Sequence, residues 1–420
     1  MLTLEVNYCG VNLYVYLSMR IKTVEIKDFR GLGAVCLENL DPHLNLLVGV
    51  NGAGKSSILD AISILLSSFV SRMQSLNGKG QQLIRIEDIK RGSRRGCELT
   101  IEMENGLKWN QFKSQKVEKE GKSDLVGLNE YVKQLRASMD DSPNMSIPIV
   151  VHYRVERSVT DIPLKINRKK EVNRLDAYIN TLNSYASYRE FFPWFKLKED
   201  IENEIIRDNA DYRDRDLNAV REAIYVMFPE YSNMRVRRHP HQEITLQKNG
   251  IEYPLAMMSE GEKCYIALVC DIVRKLAIAN PIGEILKGEG IVLIDEVDLH
   301  LHPRWEADIM PKLRLAFPNC QFVVTAHSPL VASNFDGKVY TVDCGEVQLL
   351  PRIYGLDYVS ILQDFMGAPA QNERVRLLGD QYVAYARNNM QTQAEKVWTK
   401  LIALLGDPES DVLKKIKSRL

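Results

Sequence analysis

The stretch GVNGAGKS, residues 49–56, fits the spacing G-x-x-x-x-G-K-[ST] at every fixed position. Glycines so placed let successive backbone N–H groups turn toward one point, and a helix opening behind them adds positive potential. The pattern predicts a phosphate cradle made by Asn51, Gly52, Ala53, Gly54, Lys55, Ser56 and Ser57. Lys55 is placed to reach the β- and γ-phosphates, and the Ser56 hydroxyl to hold Mg2+. A second stretch, IVLIDE (291–296), runs four apolar residues into two carboxylates. A strand that buries the run delivers the acids at its C-terminal edge, where open α/β sheets bind ligands. Asp295 is then the acid for the magnesium water shell, and Glu296 the group that orients or deprotonates an attacking water. In TAHSP (325–329), His327 leaves a further apolar strand. A lone histidine is commonly structural, but at this point of the chain it is placed to reach a γ-phosphate. These residues imply ATP and Mg2+ as cofactors and hydrolysis as the reaction.

A fourth stretch, MMSEGEK (257–263), raises a different chemistry. Ser259 and Gly261 precede a helix expected to begin near Glu262. A serine hydroxyl, glycine N–H groups and a helix N-terminus make either a plain helix cap or a second anion site. If the two loops lie on different faces, one γ-phosphate can meet both only when two copies of the chain face each other head to tail.

The elements that must position these residues follow from periodicity. RIKTVEIKDFRGL (20–32) alternates as a half-buried strand, and LNLLVGV (44–50) is a continuous buried one. Helix is predicted over 56–70, a hairpin over 97–112 turning at Asn105–Gly106, and a buried strand over 146–155. Residues 165–227 read as charged and helical, with FFPWF (191–195) at their centre; 234–255 read as a strand pair turning at Asn249–Gly250. A helix over 262–279, strands at 290–296 and 321–328, a helix near 304–317 and a helical tail from about 357 complete the pattern. Strands alternating with helices predict an α/β fold with a parallel sheet covered on both faces.

Length and composition suit two or three domains with a sizeable core: 420 residues, 45% hydrophobic and 26% charged. Lys+Arg 55 against Asp+Glu 55 makes the chain no polycation, so any nucleic-acid contact must come from a local patch. Seven cysteines without a CxxC pair argue against a disulfide framework or a zinc ribbon. No apolar run reaches the roughly 18 residues of a spanning helix, and residues 1–18 lack the basic start and cleavage site of a signal peptide. Met19 opens a natural start, residues 1–18 read as an extension the fold does not need, and the expected location is cytoplasmic.

The order phosphate loop, SEGEK, LIDE, LHLHP, AHSP resembles ABC-type ATPases of the RecF and SMC branch. SEGEK is similar to their LSGGE signature, with Met258 for the leucine and Glu260 for the first glycine. VDLHLHP (297–303) stands at their D-loop, and His327 matches their switch histidine. The resemblance implies two ATP between two heads, with Ser259, Gly261 and Glu262 acting in trans. DFRGL (28–32) also resembles this branch, and implies that Arg30 lies near the nucleotide. The Q-loop glutamine has Gln81 or Gln82 as candidates. The implied organisation is an ATPase head split into 19–112 and 234–345, a mainly helical insertion 113–233 and a partner-docking helical tail 346–420. Within the branch the chain looks most like the Septu-type ATPases of anti-phage defence, also carried by some retrons. That implies a nucleotide-dependent dimer, or a higher assembly of dimers, controlling a separate effector, an HNH-type nuclease or a toxin. DNA or RNA contact is possible in this reading and a membrane is not. The residues after Gly345 contain no D-x-D and no strand series, so a Toprim nuclease does not fit there. The alternative is a RecF-like DNA-binding repair ATPase.

Other clusters carry less. RVRRHPHQ (235–242) reads as a solvated edge strand before a nucleic-acid patch or a metal site at His239 and His241. KRGSRR (90–95) and KINRKKEVNR (165–174) are places for backbone phosphate contacts, and more commonly solvated faces. His300 and His302 read as interface residues, and the FFPWF aromatics as a small core.

Overall fold

A computed structural model describes residues 19–115, 121–155, 173–182, 188–240, 242–367 and 372–420. The extension 1–18, most of the basic cluster at 165–174 and His241 lie outside them.

The centre is a six-stranded sheet in the order β13-β12-β3-β11-β10-β6. Its strands are β3 (Leu44–Val48), β6 (Ile149–Tyr153), β10 (Gly290–Ile294), β11 (Cys320–Thr325), β12 (Lys338–Asp343) and β13 (Glu346–Leu349). All neighbours are parallel except β13, which folds back antiparallel on β12. Every residue of β3, β6, β10 and β11 is buried. Strands covered on both faces lose the polar alternation of a half-buried strand, which is why their sequences read as unbroken apolar runs.

Helix α1 (Lys55–Gln74) leaves the phosphate loop and packs across β11, β10 and β6. It is the one described helix long and apolar enough to cross a membrane, and most of it is core. A second sheet, β2-β1-β4-β5, is antiparallel and built from β1 (Ile21–Lys27), β2 (Ala34–Leu37), β4 (Gly96–Met103) and β5 (Lys108–Ser114). The β4–β5 turn falls at Asn105–Gly106, where Gly106 has φ 83°.

The chain between 113 and 233, expected as a mainly helical insertion, contains α2 (Val126–Asp141), α3 (Tyr188–Asp208) and α4 (Arg215–Met227). It also contains β6, which pairs in parallel with β10 as an integral strand of the central sheet. Phe191, Phe192 and Phe195 of α3 are fully buried, and the Phe191 and Phe195 ring centroids lie 5.3 Å apart. They are core, not a stacking surface.

Residues 231–254 form three strands where the sequence predicted a pair: β7 (Tyr231–Arg237), β8 (Glu243–Lys248) and β9 (Ile251–Pro254). The proline at 240 cannot continue a ladder and falls in the turn between β7 and β8, while Asn249–Gly250 turns β8 into β9. Helix α5 (Glu260–Ala279) follows, then α6 (Pro303–Ala316) and the short α7 (Pro329–Ser333).

The structure divides into two compact units at Leu356/Asp357. The second, Asp357–Leu420, holds α8 (Glu373–Arg387), α9 (Gln391–Leu405) and α10 (Asp411–Lys417). Val375, Val383, Val397, Leu401, Leu413 and Ile416 make its own core.

Candidate functional site

The phosphate loop joins β3 to α1 with backbone that only glycine adopts without strain. Gly49 has φ 149°, and a Cβ there would lie 2.2 Å from the Val342 carbonyl oxygen. Gly54 has φ 111°, and its Cβ would lie 2.7 Å from Leu32 of the DFRGL loop. Lys55 opens α1 and folds back over the loop, donating from Nζ to the carbonyls of Gly49 at 2.9 Å and Val50 at 3.0 Å. Burial pushes its ammonium pKa down, and the charges of Asp295, Glu296 and Asp298 partly restore it. The lysine therefore feels the acidic edge of β10. Ser56, beside it, is exposed.

β10 ends at Ile294, and the two acids follow. The Asp295 N–H donates to the Tyr153 carbonyl at 2.9 Å, and the buried Thr325 hydroxyl donates to Asp295 Oδ1 at 2.6 Å. The same Thr325 oxygen accepts from the Glu296 N–H at 2.7 Å. Glu296 has φ 49°, a left-handed conformation that costs a side-chain-bearing residue energy and is characteristic of functional turns. His327 Nε2 lies 3.7 Å from Glu296 Oε1. The His327 N–H donates to Asp298 Oδ2 at 2.8 Å. Lys55, Asp295, Glu296 and His327 thus converge on one edge. Thr325 and Asp298, given no individual role from sequence, tie the two strand ends together. Their only signals were the threonine opening TAHSP and the acid two residues past LIDE.

Arg30, φ 51°, lies on the loop after β1. It donates to Asp60 of α1 at 2.6 Å and to Asp88 at 2.9 Å. Burial lowers its pKa, but these two carboxylates outweigh it and the net shift is upward. The glutamine candidates make hydrogen bonds within the chain. Gln82 receives the Ser63 hydroxyl and donates to the Leu182 carbonyl, and Gln81 donates to Gln74.

The MMSEGEK turn caps α5. Ser259 Oγ accepts from the Glu262 N–H at 3.3 Å while Glu262 Oε2 accepts from the Ser259 N–H at 3.0 Å, a reciprocal capping box. Glu262 also accepts from the Tyr231 hydroxyl and from Lys248 Nζ at 3.1 Å. Burial pushes the Glu262 carboxyl up, yet Tyr231, Ser259 and Lys248 together hold it low, at about 2. Among the described residues these hydrogen bonds do not reach the phosphate loop. The turn does touch the segment after β10: a Cβ on Gly261 would lie 2.2 Å from the His300 carbonyl oxygen.

Of the basic clusters, KRGSRR leaves Arg91, Arg94 and Arg95 exposed, whereas the stretch 235–238 resolves into local pairs. Glu252 binds both Arg235 and Arg237, and Arg238 pairs with Asp200 and Glu199. The basic strand is neutralised by neighbouring acids. His302 caps α6 through Nδ1, and the described residues contain no cluster of three metal-ligating side chains.

A phosphate loop on β3, an acidic strand edge on β10 and a histidine after β11 define a P-loop nucleotide-binding ATPase of the α/β class. Residues 44–333 match the family described as "AAA domain, putative AbiEii toxin, Type IV TA system", and the chain belongs to that family. It is similar to the "Retron Ec83 probable ATPase" of Escherichia coli, 28% identical with 76% of this chain and 71% of that one covered. It is similar also to the "Retron Vc95 probable ATPase" of Vibrio cholerae, 29% identical over 75% and 71%. The "Septu protein PtuA" of Bacillus mycoides is 25% identical over 90% of this chain and 49% of its own length. Among solved structures, an SMC head bound to the C-terminal winged-helix domain of ScpA covers 79% of this chain and 97% of its own, at 17% identity and TM-score 0.42. The recombination mediator RecF covers 80% and 99%, at 16% identity and TM-score 0.39.

Proposed function

We propose that this ATPase is a nucleotide-dependent dimeric switch. Two copies close on two Mg-ATP, each phosphate loop capped by the partner's Ser259–Glu262 turn, and reopen after hydrolysis. The observation that carries this reading is the presence of two glycine-containing helix N-termini in one chain, each with its own hydrogen-bond network. Lys55 lies beside the acidic edge, and Ser259 and Gly261 form a separate helix N-terminus braced on His300.

The residues present fit the groups this reading requires. The glycines at 49, 52 and 54 adopt the positive φ that turns N–H groups toward a phosphate, and an exposed hydroxyl and a strand-end carboxylate are hard oxygen donors. Ser56 and Asp295 would hold Mg2+, which neutralises charge on the β- and γ-phosphates. Lys55 grips the same oxygens. Glu296, held by Thr325 in its unusual backbone conformation, accepts the proton of the attacking water. His327, 3.7 Å from that carboxylate, donates toward the γ-phosphate as charge builds on it.

Relatives named as retron ATPases and Septu proteins support a role in anti-phage defence, in which closure controls a separate effector such as a nuclease or toxin. The alternative, a repair ATPase that grips DNA itself, needs a concentrated basic surface. The ion pairs of Arg235, Arg237 and Arg238 with Glu252, Glu199 and Asp200 weigh against that strand supplying one.

The test is the solution mass of Glu296→Gln with and without Mg-ATP. The amide should leave ATP bound and unhydrolysed, and the mass should double. A mass indifferent to bound ATP, with Ser259→Arg turning over ATP normally, sinks the switch and leaves SEGEK a helix cap.

A further inference from the structure

Four strands of the central sheet, β3, β11, β10 and β6, run parallel side by side, and their C-terminal ends lie along one edge. Three of them deliver residues already assigned: the phosphate loop, His327 and the Asp295–Glu296 pair. The fourth end, after β6, carries Arg154. Its place is set from both sides. The carbonyl of Tyr153, one residue earlier, receives the Asp295 N–H at 2.9 Å, so the backbone at Arg154 adjoins the acidic strand end. Its guanidinium lies 2.8 Å from Asp60 Oδ1 on α1. Asp60 stands one helical turn beyond Ser56, on the same helix face, and side chains on a helix lean toward its N-terminus. The carboxylate that anchors Arg154 therefore lies next to the hydroxyl assigned to the metal and the phosphate end.

Asp60 is shared: its other oxygen takes Arg30, which also has Asp88. The two guanidinium groups thus meet two carboxylates, Asp60 and Asp88, and both arginine side chains remain partly exposed. The Arg154 side chain is 42% exposed, within reach of a ligand. A guanidinium offers paired N–H donors that match two oxygens of one phosphate.

Resting on the nucleotide site described above, we propose that Arg154 binds the terminal phosphate of a nucleoside triphosphate and makes the site distinguish ATP from ADP. Asp60 acts as its positioning residue. ADP lacks the oxygens Arg154 would hold, so removing the guanidinium should cost affinity for ATP alone.

The experiment uses the full chain carrying Ser259→Arg and Glu296→Gln, so that neither trans capping nor hydrolysis contributes. ATP and ADP compete, with Mg2+ present, against a fluorescent nucleotide. Adding Arg154→Ala should weaken ATP roughly tenfold, the size expected of a hydrogen bond to a charged group, and ADP by less than about twofold. Equal weakening of both nucleotides, or of neither, overturns the proposal and makes Arg154 a tie between α1 and β6. If thermal unfolding shows that the alanine variant does not fold, the neutral Arg154→Gln is read by the same two criteria. Loss of ATP-driven dimerisation in the chain with Ser259 intact would defeat the switch and leave this ratio readable. A starting chain that binds neither nucleotide removes the site and this inference with it.

Discussion

At the scale of single residues, the site works by making a few oxygens and nitrogens serve two partners. Thr325 holds both acids of the strand edge, donating to Asp295 and accepting from the Glu296 N–H. Asp60 serves two arginines. Glu262 is the third such group, closing the Ser259 cap while taking Tyr231 and Lys248. Its charge has a measurable signature. The folded carboxyl, at about 2, lies below its usual 4.5, so its contribution is present above about pH 4.5 and is lost as pH falls toward 2. Glu262→Gln should therefore be less stable than the parent by about 1–2 kcal/mol at pH 7, the worth of charge-assisted bonds in a half-buried place. The gap should narrow between pH 4.5 and 3.5, the range open to urea titrations before general acid unfolding. A gap constant from pH 7 to 3.5 would mean that the carboxylate's charge does not hold the turn.

At the scale of elements, contacts that bring the motifs together run through backbone that has no room for a side chain. Gly261 sits in the first turn of α5 with the His300 carbonyl where its Cβ would be. A methyl at 2.2 Å from a backbone oxygen cannot be relieved by a rotamer change, so either α5 or the segment after β10 must move. Gly261→Ala should cost about 1–3 kcal/mol by this overpacking, seen as a lower denaturation midpoint, and ATP-driven dimerisation should weaken with it. An unchanged midpoint would show that the two segments slide freely past each other. This contact also marks the limit of what the residue pattern carried. The buried strands and the motifs at their ends were legible, because continuous apolar runs followed by glycines or acids have few other uses in a parallel sheet. That Gly261 abuts His300, that Thr325 bridges Asp295 and Glu296, and that β6 brings Arg154 to the same edge were not. They depend on which strands become neighbours, and strand order is set by long-range pairing that leaves no local period. The split of 231–254 into three strands escaped for a local reason, since a proline inside a run of strand-like residues reads as an edge rather than as a turn.

At the scale of the whole molecule, the chemistry is confined to one of two compact units. All the residues brought together at the strand edge, and the Ser259 turn, precede Leu356, while Asp357–Leu420 packs around its own valines, leucines and isoleucines. Tyr382 and Trp398 stack with ring centroids 4.6 Å apart, tying α8 to α9 inside that unit. A helical unit of this size buries a small core and has correspondingly little stability of its own. Two cores without shared motifs lead to separable behaviour. Calorimetry of the full chain should show two transitions, and ATP should raise the midpoint of only one, because a ligand stabilises the unit that binds it. Residues 19–356 produced alone should fold and bind ATP within about threefold of the full chain, while ATP-driven control of any effector docked on the tail should be lost. A single cooperative transition shifted as a whole by ATP, or a 19–356 fragment unable to bind nucleotide, would show that the helical unit is part of the ATPase core rather than an appendage for a partner.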